Sequence, residues 1–510
     1  MNSSLSVSVE STRTVARMRT SSLLWVMLLG LLLGFAFQGS RGLWSPDEGR
    51  YVGVALQMMD SGNYLAPAYS PASLNFSKPP LTYWIIATSL QLFGRNTWAA
   101  RLPYALAYLA TLALLFAMGK RASPGKPWLP SLVYATSLFT FFSSNIISTD
   151  VLLTLTEGLA VFGFILHAWP SDRGEQRYGL VVMWLGFGLA FLTKGPPGLL
   201  PLLSILAFAA ICDGARGVVR LLHPFGLAIF LLVGFTWYAV VTLRYPGLLH
   251  YFLHQEVYGR IFTAMHKRHA GALGWAVAFL PVLVLGTIPW WHGLVLSLRD
   301  VAKPAQWARW RKERSIQLFL VLWFALPFVI FCVARSRLPL YLLPLFLPLA
   351  LLTASRMERS FDLGSQRTIG LLATWLALLL ATKAVAAYGF KTNVDNRHAA
   401  KQIAATMGAA DYRALVFLEE ATDTYAVDEQ TLWGLRFYLN RPVYGIWWHS
   451  PEASTQLCAA IKTQETSLLL VDRDIPAADA QALLNSCGAS VESAGAWRNN
   501  MLFLVHGVPK

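Results

Sequence analysis

Long hydrophobic runs, separated by short polar segments, make up most of the chain up to about residue 390. The longest runs approach the roughly 20 residues that a helix needs to cross a hydrocarbon core about 30 Å thick. They cover residues 23–37, 102–118, 225–241, 318–333 and 371–387. The pattern therefore predicts about 11 transmembrane helices, with an upper count of about 13 because short runs are ambiguous.

The first hydrophobic run resembles a secretory signal in its position, because Arg13, Arg17 and Arg19 precede it. However, Phe35, Phe37 and Gln38 stand at its end, where a cleavage site needs small residues, and many further runs come later. We therefore interpret it as the first transmembrane helix of a membrane domain over residues 21–390. The polar residues 1–20 are predicted to be a disordered cytoplasmic segment.

Lysine and arginine collect in the short segments between the hydrophobic runs, which predicts the threading of the chain. Such segments face the cytoplasm, and they lie at residues 120–126, 216–220, 299–314 and 356–367. All four basic segments lie on the cytoplasmic side only if the apolar segment 81–93 does not cross the membrane. We predict that this segment lies at the outer surface, because it is too short to span. The periplasmic side then receives residues 42–80, 143–150, 245–271 and 335–337 and the tail.

Composition supports a membrane protein and argues against a nucleic-acid partner. The 510 residues are 55% hydrophobic and only 14% charged, with a mean hydropathy of +0.46, whereas soluble domains carry about 25% charged residues. The formal net charge is +15. Because these charges lie between apolar runs and not in a basic stripe on a soluble domain, they indicate orientation in the bilayer.

The tail, residues 391–510, has a different pattern and is predicted to be a small periplasmic α/β domain. Residues 415–418 and 468–471 are typical of buried strands, and residues 398–407 and 477–484 of helices. Cys458 and Cys487 are the two cysteines of this domain. In an oxidising compartment they can form a disulfide, and two separate buried thiols are the alternative.

Adjacent acids follow the first run, in the segment Trp44-Ser-Pro-Asp47-Glu48-Gly-Arg50-Tyr51. Carboxylates at a membrane edge are costly and point to function. The alternative is a helix start in which Ser45 is the N-cap and the acids favour the helix dipole. Asp150, which opens a later run, has the same two interpretations.

Cations also lie at the predicted outer face. Lys78 precedes two prolines and so cannot lie within a regular helix; it either binds a phosphate or snorkels to the interface. Three further segments bring more charge to this side. They are Lys194-Gly-Pro-Pro-Gly198, Glu256-Val-Tyr-Gly-Arg260 and Arg335-Ser-Arg337-Leu-Pro-Leu-Tyr341. Together these residues suit a lipid-linked phosphate beside a general base.

The order of these motifs resembles one superfamily of membrane glycosyltransferases. The motifs are Pro46-Asp47-Glu48-Gly49-Arg50-Tyr51, Met59-Asp60-Ser61-Gly62, Lys78-Pro79-Pro80, Ala100-Arg101-Leu102-Pro103, Asp150, Leu192-Thr193-Lys194-Gly195-Pro196, the Glu256–Arg260 loop and Leu338-Pro339-Leu340-Tyr341. They resemble the lipid A aminoarabinose transferases and protein O-mannosyltransferases, which are of GT-C type. The resemblance covers roughly residues 43–352 and implies an all-α polytopic bundle.

The resemblance also implies an activity. It is the inverting transfer of a sugar from an undecaprenyl-phosphate-like polyprenyl carrier to an acceptor at the periplasmic side of a bacterial inner membrane. Lipid A or another part of lipopolysaccharide is the first expectation for this membrane-lipid acceptor, and a protein hydroxyl the second. The sequence does not identify the sugar.

By motif, the resemblance implies a role for each candidate residue. Asp47 is the general base or acceptor orienter, with Glu48 beside it, and Asp150 faces the sugar or the acceptor. The residues implied to bind the donor phosphate are Lys78, Arg260, Tyr341, Arg335, Arg337 and Lys194.

A divalent metal receives little support, and no other cofactor is predicted. Aminoarabinose transferases commonly carry an acid before the Lys-Pro-Pro motif, and this acid is linked to metal binding. Ser77 stands at that position here. A transporter or flippase of a lipid-linked substrate is the main alternative function. It is less favoured because transporters gather polar residues near the bilayer midplane, whereas these candidates lie at the ends of spans.

Overall fold

The computed structural model describes residues 22–71, 73–259, 269, 271–388, 394–462 and 466–507. The predicted disordered segment 1–20 and the candidate Arg260 lie outside these residues. Contacts divide the chain into two compact units. We call Met1–Ala36 with Tyr104–Lys383 the bundle unit, and Phe37–Pro103 with Ala384–Lys510 the sheet unit.

The regular elements of the bundle unit are all helices in the ranges that the structure describes. Its α-helices, two of which extend past its boundaries, are Ser22–Phe35, Thr97–Ala122, Leu129–Thr136, Leu138–Ser143, Thr149–Ala168, Arg173–Lys194, Leu200–Leu221, Pro224–Phe230, Thr236–Arg244, Leu248–Tyr251, Gly274–Gly286, Trp291–Val301, Pro304–Lys312, Ile316–Val333, Phe346–Met357 and Gln366–Tyr388. Pro196–Leu199 and Pro339–Leu345 are 3-10 segments, and Leu231–Phe235 and Phe252–Gly259 are π-helical. The predicted polytopic all-α bundle is confirmed.

Seven described helical segments are long and apolar enough to cross a membrane, or eight if one pair bent by 118° is a single span. Four of the five longest predicted runs match such segments, and the run 23–37 matches the shorter apolar helix Ser22–Phe35. The predicted count of about 11 is higher because it includes shorter runs of this kind. Residues 81–93 form the 13-residue helix Leu81–Phe93, below spanning length.

Two neighbouring helices of the bundle pack closely because glycines line their contact. A Cβ at Gly163 would lie 2.3 Å from the Met183 nitrogen, and one at Gly186 would lie 2.3 Å from the Ala160 nitrogen. Small residues let helix backbones approach in this way in membrane bundles. The helices Thr149–Ala168 and Arg173–Lys194 therefore form a rigid pair, and each carries a candidate residue near one end.

The sheet unit combines the segment after the first helix with the tail. The segment contains the helix Asp47–Ser61, the strands β1 (Ala68–Ser70) and β2 (Ser73–Leu74) and the helix Leu81–Phe93. The tail strands are β3 (Ala414–Glu419), β4 (Val443–Trp447), β5 (Thr466–Asp472), β6 (Ser490–Trp497) and β7 (Asn500–His506). The tail helices are Asn396–Met407, Thr424–Gln430, Leu435–Leu439, Ala453–Lys462 and Ala477–Ser486.

The tail strands form one five-stranded sheet in the order β4-β3-β5-β7-β6. The strands β4, β3 and β5 are parallel, and β7 is antiparallel to both of its neighbours. The predicted α/β character of the tail and both predicted strands are confirmed. Cys458 and Cys487 form a disulfide with their Cα atoms 5.1 Å apart, so the predicted bridge is confirmed as well.

Candidate functional site

The helix Asp47–Ser61 places both candidate acids in its first turn. Pro46 occupies the N-cap position, and no side chain caps the helix. The suggested N-cap role of Ser45 is therefore wrong. The acids still gain from the positive end of the helix dipole, but their contacts differ completely.

Glu48 is buried in a pair of salt bridges. Its side chain is 1% exposed, and its Oε2 lies 2.5 Å from Arg41 Nη1 and 2.7 Å from Arg101 Nη2. The main-chain N–H of Trp44 donates to the same oxygen at 2.9 Å. Burial alone would raise the pKa of the Glu48 carboxyl, but Arg101 and Arg41 hold the pKa well below its usual range. This carboxylate stays charged and fully bonded.

Arg101 extends this network to the main chain. Its guanidinium donates to the carbonyls of Gln38, Arg41 and Gly42 at 2.7 to 3.1 Å. Glu48 and Arg101 therefore fix the segment that leads into the helix. This geometry assigns Glu48 to holding the loop and leaves its neighbour as the accessible acid.

Asp47 is the accessible acid of the pair. Its side chain is 37% exposed, and its Oδ1 accepts from Arg50 Nη2 at 2.6 Å. Arg50, one turn later on the same helix, has a side chain only 12% exposed. Asp47 therefore combines a partly exposed carboxylate with a largely buried arginine partner.

Lys78 lies in a loop fixed by its neighbours, as its two following prolines predict. Asn75 Oδ1 accepts from both the main chain and the hydroxyl of Ser77, and Asn75 Nδ2 donates to Tyr83 Oη at 3.1 Å. The half-buried Lys78 donates to the Ser77 carbonyl at 2.7 Å. Across the described ranges, no group of three His, Cys, Asp or Glu side chains is arranged to hold a metal ion.

Three other candidates meet within the bundle unit. Lys194 Nζ lies 2.5 Å from Asp150 Oδ1 and 4.4 Å from the ring centroid of Tyr341. The side chains of Asp150 and Lys194 are 8% and 10% exposed. Ser148 is the N-cap of the helix Thr149–Ala168 and also bonds the Asp150 carboxylate at 3.1 Å. Asp150 is thus not itself the cap but the counterion of a buried cation.

The remaining cations have different surroundings. Arg337 donates to the carbonyls of His269, Gly271 and Cys332 at 2.6 to 3.0 Å and is 5% exposed. Its two Nη atoms are therefore engaged with the main chain, and its predicted role in donor binding stays a prediction. Arg335 is exposed and has no hydrogen bond or ion pair within the described residues.

One acid of the bundle unit was missed. Glu157 lies seven residues after Asp150 on the same helix, is 3% exposed, and has no hydrogen bond or ion pair among the described side chains. A glutamate inside an apolar span is itself a signal of function. Glu157 is not among the predicted candidates because these all lie at or beyond the ends of spans.

The fold and these charged clusters define a multi-pass membrane protein whose candidate functional residues lie mainly in loops and near the ends of helices. A family model described as dolichyl-phosphate-mannose-protein mannosyltransferase matches residues 77–241. An undecaprenyl phosphate-alpha-4-amino-4-deoxy-L-arabinose arabinosyl transferase of Aeromonas hydrophila is 31% identical over 66% of this chain and 60% of its own length. A second such transferase, from Pseudomonas fluorescens, is 30% identical over 68% of this chain and 61% of its length.

Solved structures share the fold over nearly the whole chain. ArnT from Cupriavidus metallidurans bound to undecaprenyl phosphate has a TM-score of 0.73 at 19% identity, covering 96% of this chain and 100% of that one. An oligosaccharyltransferase of Archaeoglobus fulgidus has a TM-score of 0.55 at 12% identity, covering 92% of this chain and 71% of that one.

These matches confirm the resemblance. The chain is similar to undecaprenyl-phosphate-aminoarabinose transferases, matches the protein mannosyltransferase family model in part, and shares the fold of ArnT. It matches about 60% of the length of the curated relatives.

Proposed function

We propose that this protein transfers a sugar from an undecaprenyl-phosphate carrier to lipid A at the periplasmic side of a bacterial inner membrane. The curated relatives are named for an undecaprenyl-phosphate-linked aminoarabinose, and the structural neighbour is bound to undecaprenyl phosphate. The carrier cannot leave the bilayer, so a site for it belongs at the end of spans, where Asp150 and Lys194 lie.

The observation that carries the proposal is the contrast between Asp47 and Glu48. A transferase needs a carboxylate that can take the acceptor proton as the acceptor oxygen attacks the sugar. Glu48 is 1% exposed and bound by two arginines, whereas Asp47 is 37% exposed and bound by one. Asp47 is therefore the proposed base, and Arg50 orients it.

The donor phosphate needs cations. Lys194, with Tyr341 beside its ammonium group, is the proposed cation of the bundle unit, and Lys78 that of the sheet unit. Both are partly shielded from water, where charge-assisted hydrogen bonds to phosphate are strong. Arg260, Arg335 and Arg337 remain proposed donor-binding residues, and the main-chain contacts of Arg337 also hold its loop.

The test uses the full chain in nanodiscs, undecaprenyl-phosphate-linked aminoarabinose as the donor and lipid A as the acceptor. Mass spectrometry should show the sugar on lipid A. Asp47→Asn should abolish transfer while undecaprenyl phosphate still binds, because shape is kept and basicity is lost. Lys78→Ala should weaken that binding about tenfold, and Lys78→Arg should restore it only in part.

Two results would contradict the proposal. Normal turnover by Asp47→Asn would leave the acid without a role in proton transfer. Absence of any sugar on lipid A with the wild-type protein would overturn the proposed reaction. Envelope glycolipids from cells with and without the gene then show which acceptor, if any, is modified.

Transport of a lipid-linked substrate is the second candidate function, and two observations favour it. Glu157 is buried inside a span, and the helices Gly274–Gly286 and Trp291–Val301 form a pair bent by 118°. Discontinuous helices and buried acids are typical of transporters. Translocation of the carrier lipid in liposomes without sugar transfer would favour this function over the enzyme.

A further inference from the structure

Two residues at the start of the tail contact the segment that leads into the helix of Asp47, and the proposed mechanism uses neither of them. They are Asn396 and Arg397, the first two residues of the helix Asn396–Met407. The N-cap of this helix is Asp395, whose side chain accepts from two main-chain N–H groups of the first turn. Because this cap fixes the first turn, both side chains extend from a well-defined position.

Asn396 is buried and bonds the segment from two of its nitrogen atoms. Its amide nitrogen donates to the Leu43 carbonyl at 2.9 Å and to Ser45 Oγ at 3.0 Å, and its main-chain N–H donates to the same carbonyl at 2.9 Å. Its amide oxygen is buried without a hydrogen-bond partner in the ranges that the structure describes, which is unusual for a polar atom. The side chain is therefore arranged for the bonds of its nitrogen, and one of these reaches a residue two positions before Asp47.

Arg397 bonds the part of the segment that comes before Leu43. Its guanidinium donates at 2.7 to 3.3 Å to four oxygen atoms, which are the main-chain carbonyls of Gly39, Ser40 and Arg41 and the hydroxyl of Thr97. An arginine presents its N–H donors in a rigid plane, so one side chain can hold several acceptors at once.

The main chain of residues 39–44 has no free carbonyl. Each of the six accepts a hydrogen bond. Arg397 donates to the first three, and Asn396 donates to the fifth. The other two accept from Arg101 and from the first turn of the helix Asp47–Ser61. Because the chain's acceptors are all bonded, the two tail residues help to set the point from which this helix begins.

Glycines allow the tail to approach the segment on both sides of Asp47. A Cβ at Gly42 would overlap the carboxylate of Asp395, and a Cβ at Gly49 would lie 3.1 Å from the Asn396 amide nitrogen. Trp44 and Asp395 also form an antiparallel β-bridge. The start of the tail and the first turn of the helix are therefore closely fitted, and a change at Asn396 has a direct route to Asp47.

We propose that Asn396 and Arg397 are positioning residues for the transfer step, which hold the carboxylate of Asp47 in the orientation that accepts the acceptor proton. They act through residues 39–45 and not by contact with the substrate. This inference rests on the proposed function and on the proposed role of Asp47. A misplacement of about 1 Å at a reacting group can lower a rate about 100-fold, so the loss of these contacts should lower kcat.

The test uses the full chain with undecaprenyl-phosphate-linked aminoarabinose and lipid A. Turnover is expressed per undecaprenyl-phosphate-binding site, so that unfolded protein does not count. Asn396→Ala and Arg397→Ala should each lower this kcat about 10- to 100-fold. KM for lipid A and the affinity for undecaprenyl phosphate should change less than about twofold, because an interaction that matters only in the transition state acts on kcat.

A conservative variant adds a readout that a purely structural role would not give. Arg397→Lys keeps the charge but presents one nitrogen atom, whereas the guanidinium reaches its four acceptors with two. It should therefore recover only part of the kcat that Arg397→Ala loses. An Arg397→Lys variant no faster than Arg397→Ala, with donor binding intact in both, would contradict the proposed hydrogen-bonding role.

The matched control breaks a contact between the tail and the same helix at its other end. Arg436 Nη2 lies 2.6 Å from Asp60 Oδ2, and Asp60 is in the last turn of the helix Asp47–Ser61. Asp60→Asn should leave kcat and KM normal, even where it lowers the apparent Tm, because residues 39–45 keep their hydrogen bonds. Equal losses of kcat in Asp60→Asn and Asn396→Ala would show that any loosening of the tail slows transfer, and would overturn the proposal.

The possible failures are distinguishable. If the wild-type protein does not modify lipid A, the proposed function fails and the positioning role falls with it. If the wild-type protein transfers the sugar but Asn396→Ala and Arg397→Ala keep a normal kcat, only the positioning role is wrong. Loss of donor binding together with kcat in both variants would show a general structural role and also overturn the proposal.

Discussion

Replacing Glu48 with glutamine tests whether this acid holds the fold or takes part in the chemistry. Glutamine keeps the shape but removes the charge that two buried guanidinium groups require. Removing one partner of a buried ion pair costs about 3–5 kcal/mol, because the remaining charge is left uncompensated. The Glu48 side chain is 1% exposed and that of Arg101 4%, so water does little to reduce this cost.

For a unit of about 190 residues, each kcal/mol corresponds to about 2–4 °C in Tm. We therefore expect Glu48→Gln to lower the apparent Tm by roughly 6–20 °C in scanning fluorimetry of the purified protein. Asp47→Asn is the matched control from the same turn of the helix. Its one partly exposed pair should contribute less than about 1 kcal/mol, so its Tm should change by no more than about 4 °C.

The pH dependence of this stabilisation follows from the direction in which the pKa of Glu48 is shifted. Because the folded pKa of Glu48 is depressed, its stabilisation is complete above the ordinary glutamate pKa of about 4.3 and is lost as pH falls through the folded value. The Tm difference between wild type and Glu48→Gln should thus shrink only in acid. An unchanged Tm together with abolished transfer would refute this reasoning and place Glu48 in the chemistry.

Three further predictions concern the bundle, the tail and the topology. Lys194→Met should lower the apparent Tm because it leaves the Asp150 carboxylate without its counterion. The double variant with Asp150→Asn should recover thermal stability but not sugar transfer. Recovered transfer would contradict the functional role of the pair. Thiol titration of denatured, unreduced protein should find two thiols, since the bridge between Cys458 and Cys487 closes a loop worth roughly 3–4.7 kcal/mol; four thiols would exclude it. Asn96→Cys should react with a membrane-impermeant thiol reagent from the periplasmic side, and protection would mean that residues 81–93 cross the membrane.

The tail shows which elements a local pattern can reveal. Residues 415–418 and 468–471 were predicted as strands because both are short, continuous apolar runs, as central parallel strands require. The edge strand β4 and the hairpin β6–β7 were missed. The burial of β6 alternates irregularly, with mostly exposed positions, so its sequence lacks the apolar run that marks a buried strand.

The candidate acids also show what the local sequence reveals and what it does not. Adjacent carboxylates at a membrane edge drew attention to Asp47 and Glu48, but nothing local separates their roles. The separation comes from Arg101, 53 residues away from Glu48 in the chain, and from Arg41.

The sequence by itself determined the class of the protein, the longest hydrophobic segments and the order of the motifs, because hydrophobic length and the constraints of proline and glycine act over a few residues. Tertiary structure alone decided which charges meet. The pairing of Lys194 with Asp150 and the burial of Glu48 between Arg41 and Arg101 are contacts that spacing along the chain does not reveal. Electrostatic energy depends on separation and burial in three dimensions, and neither quantity is encoded in spacing along the chain.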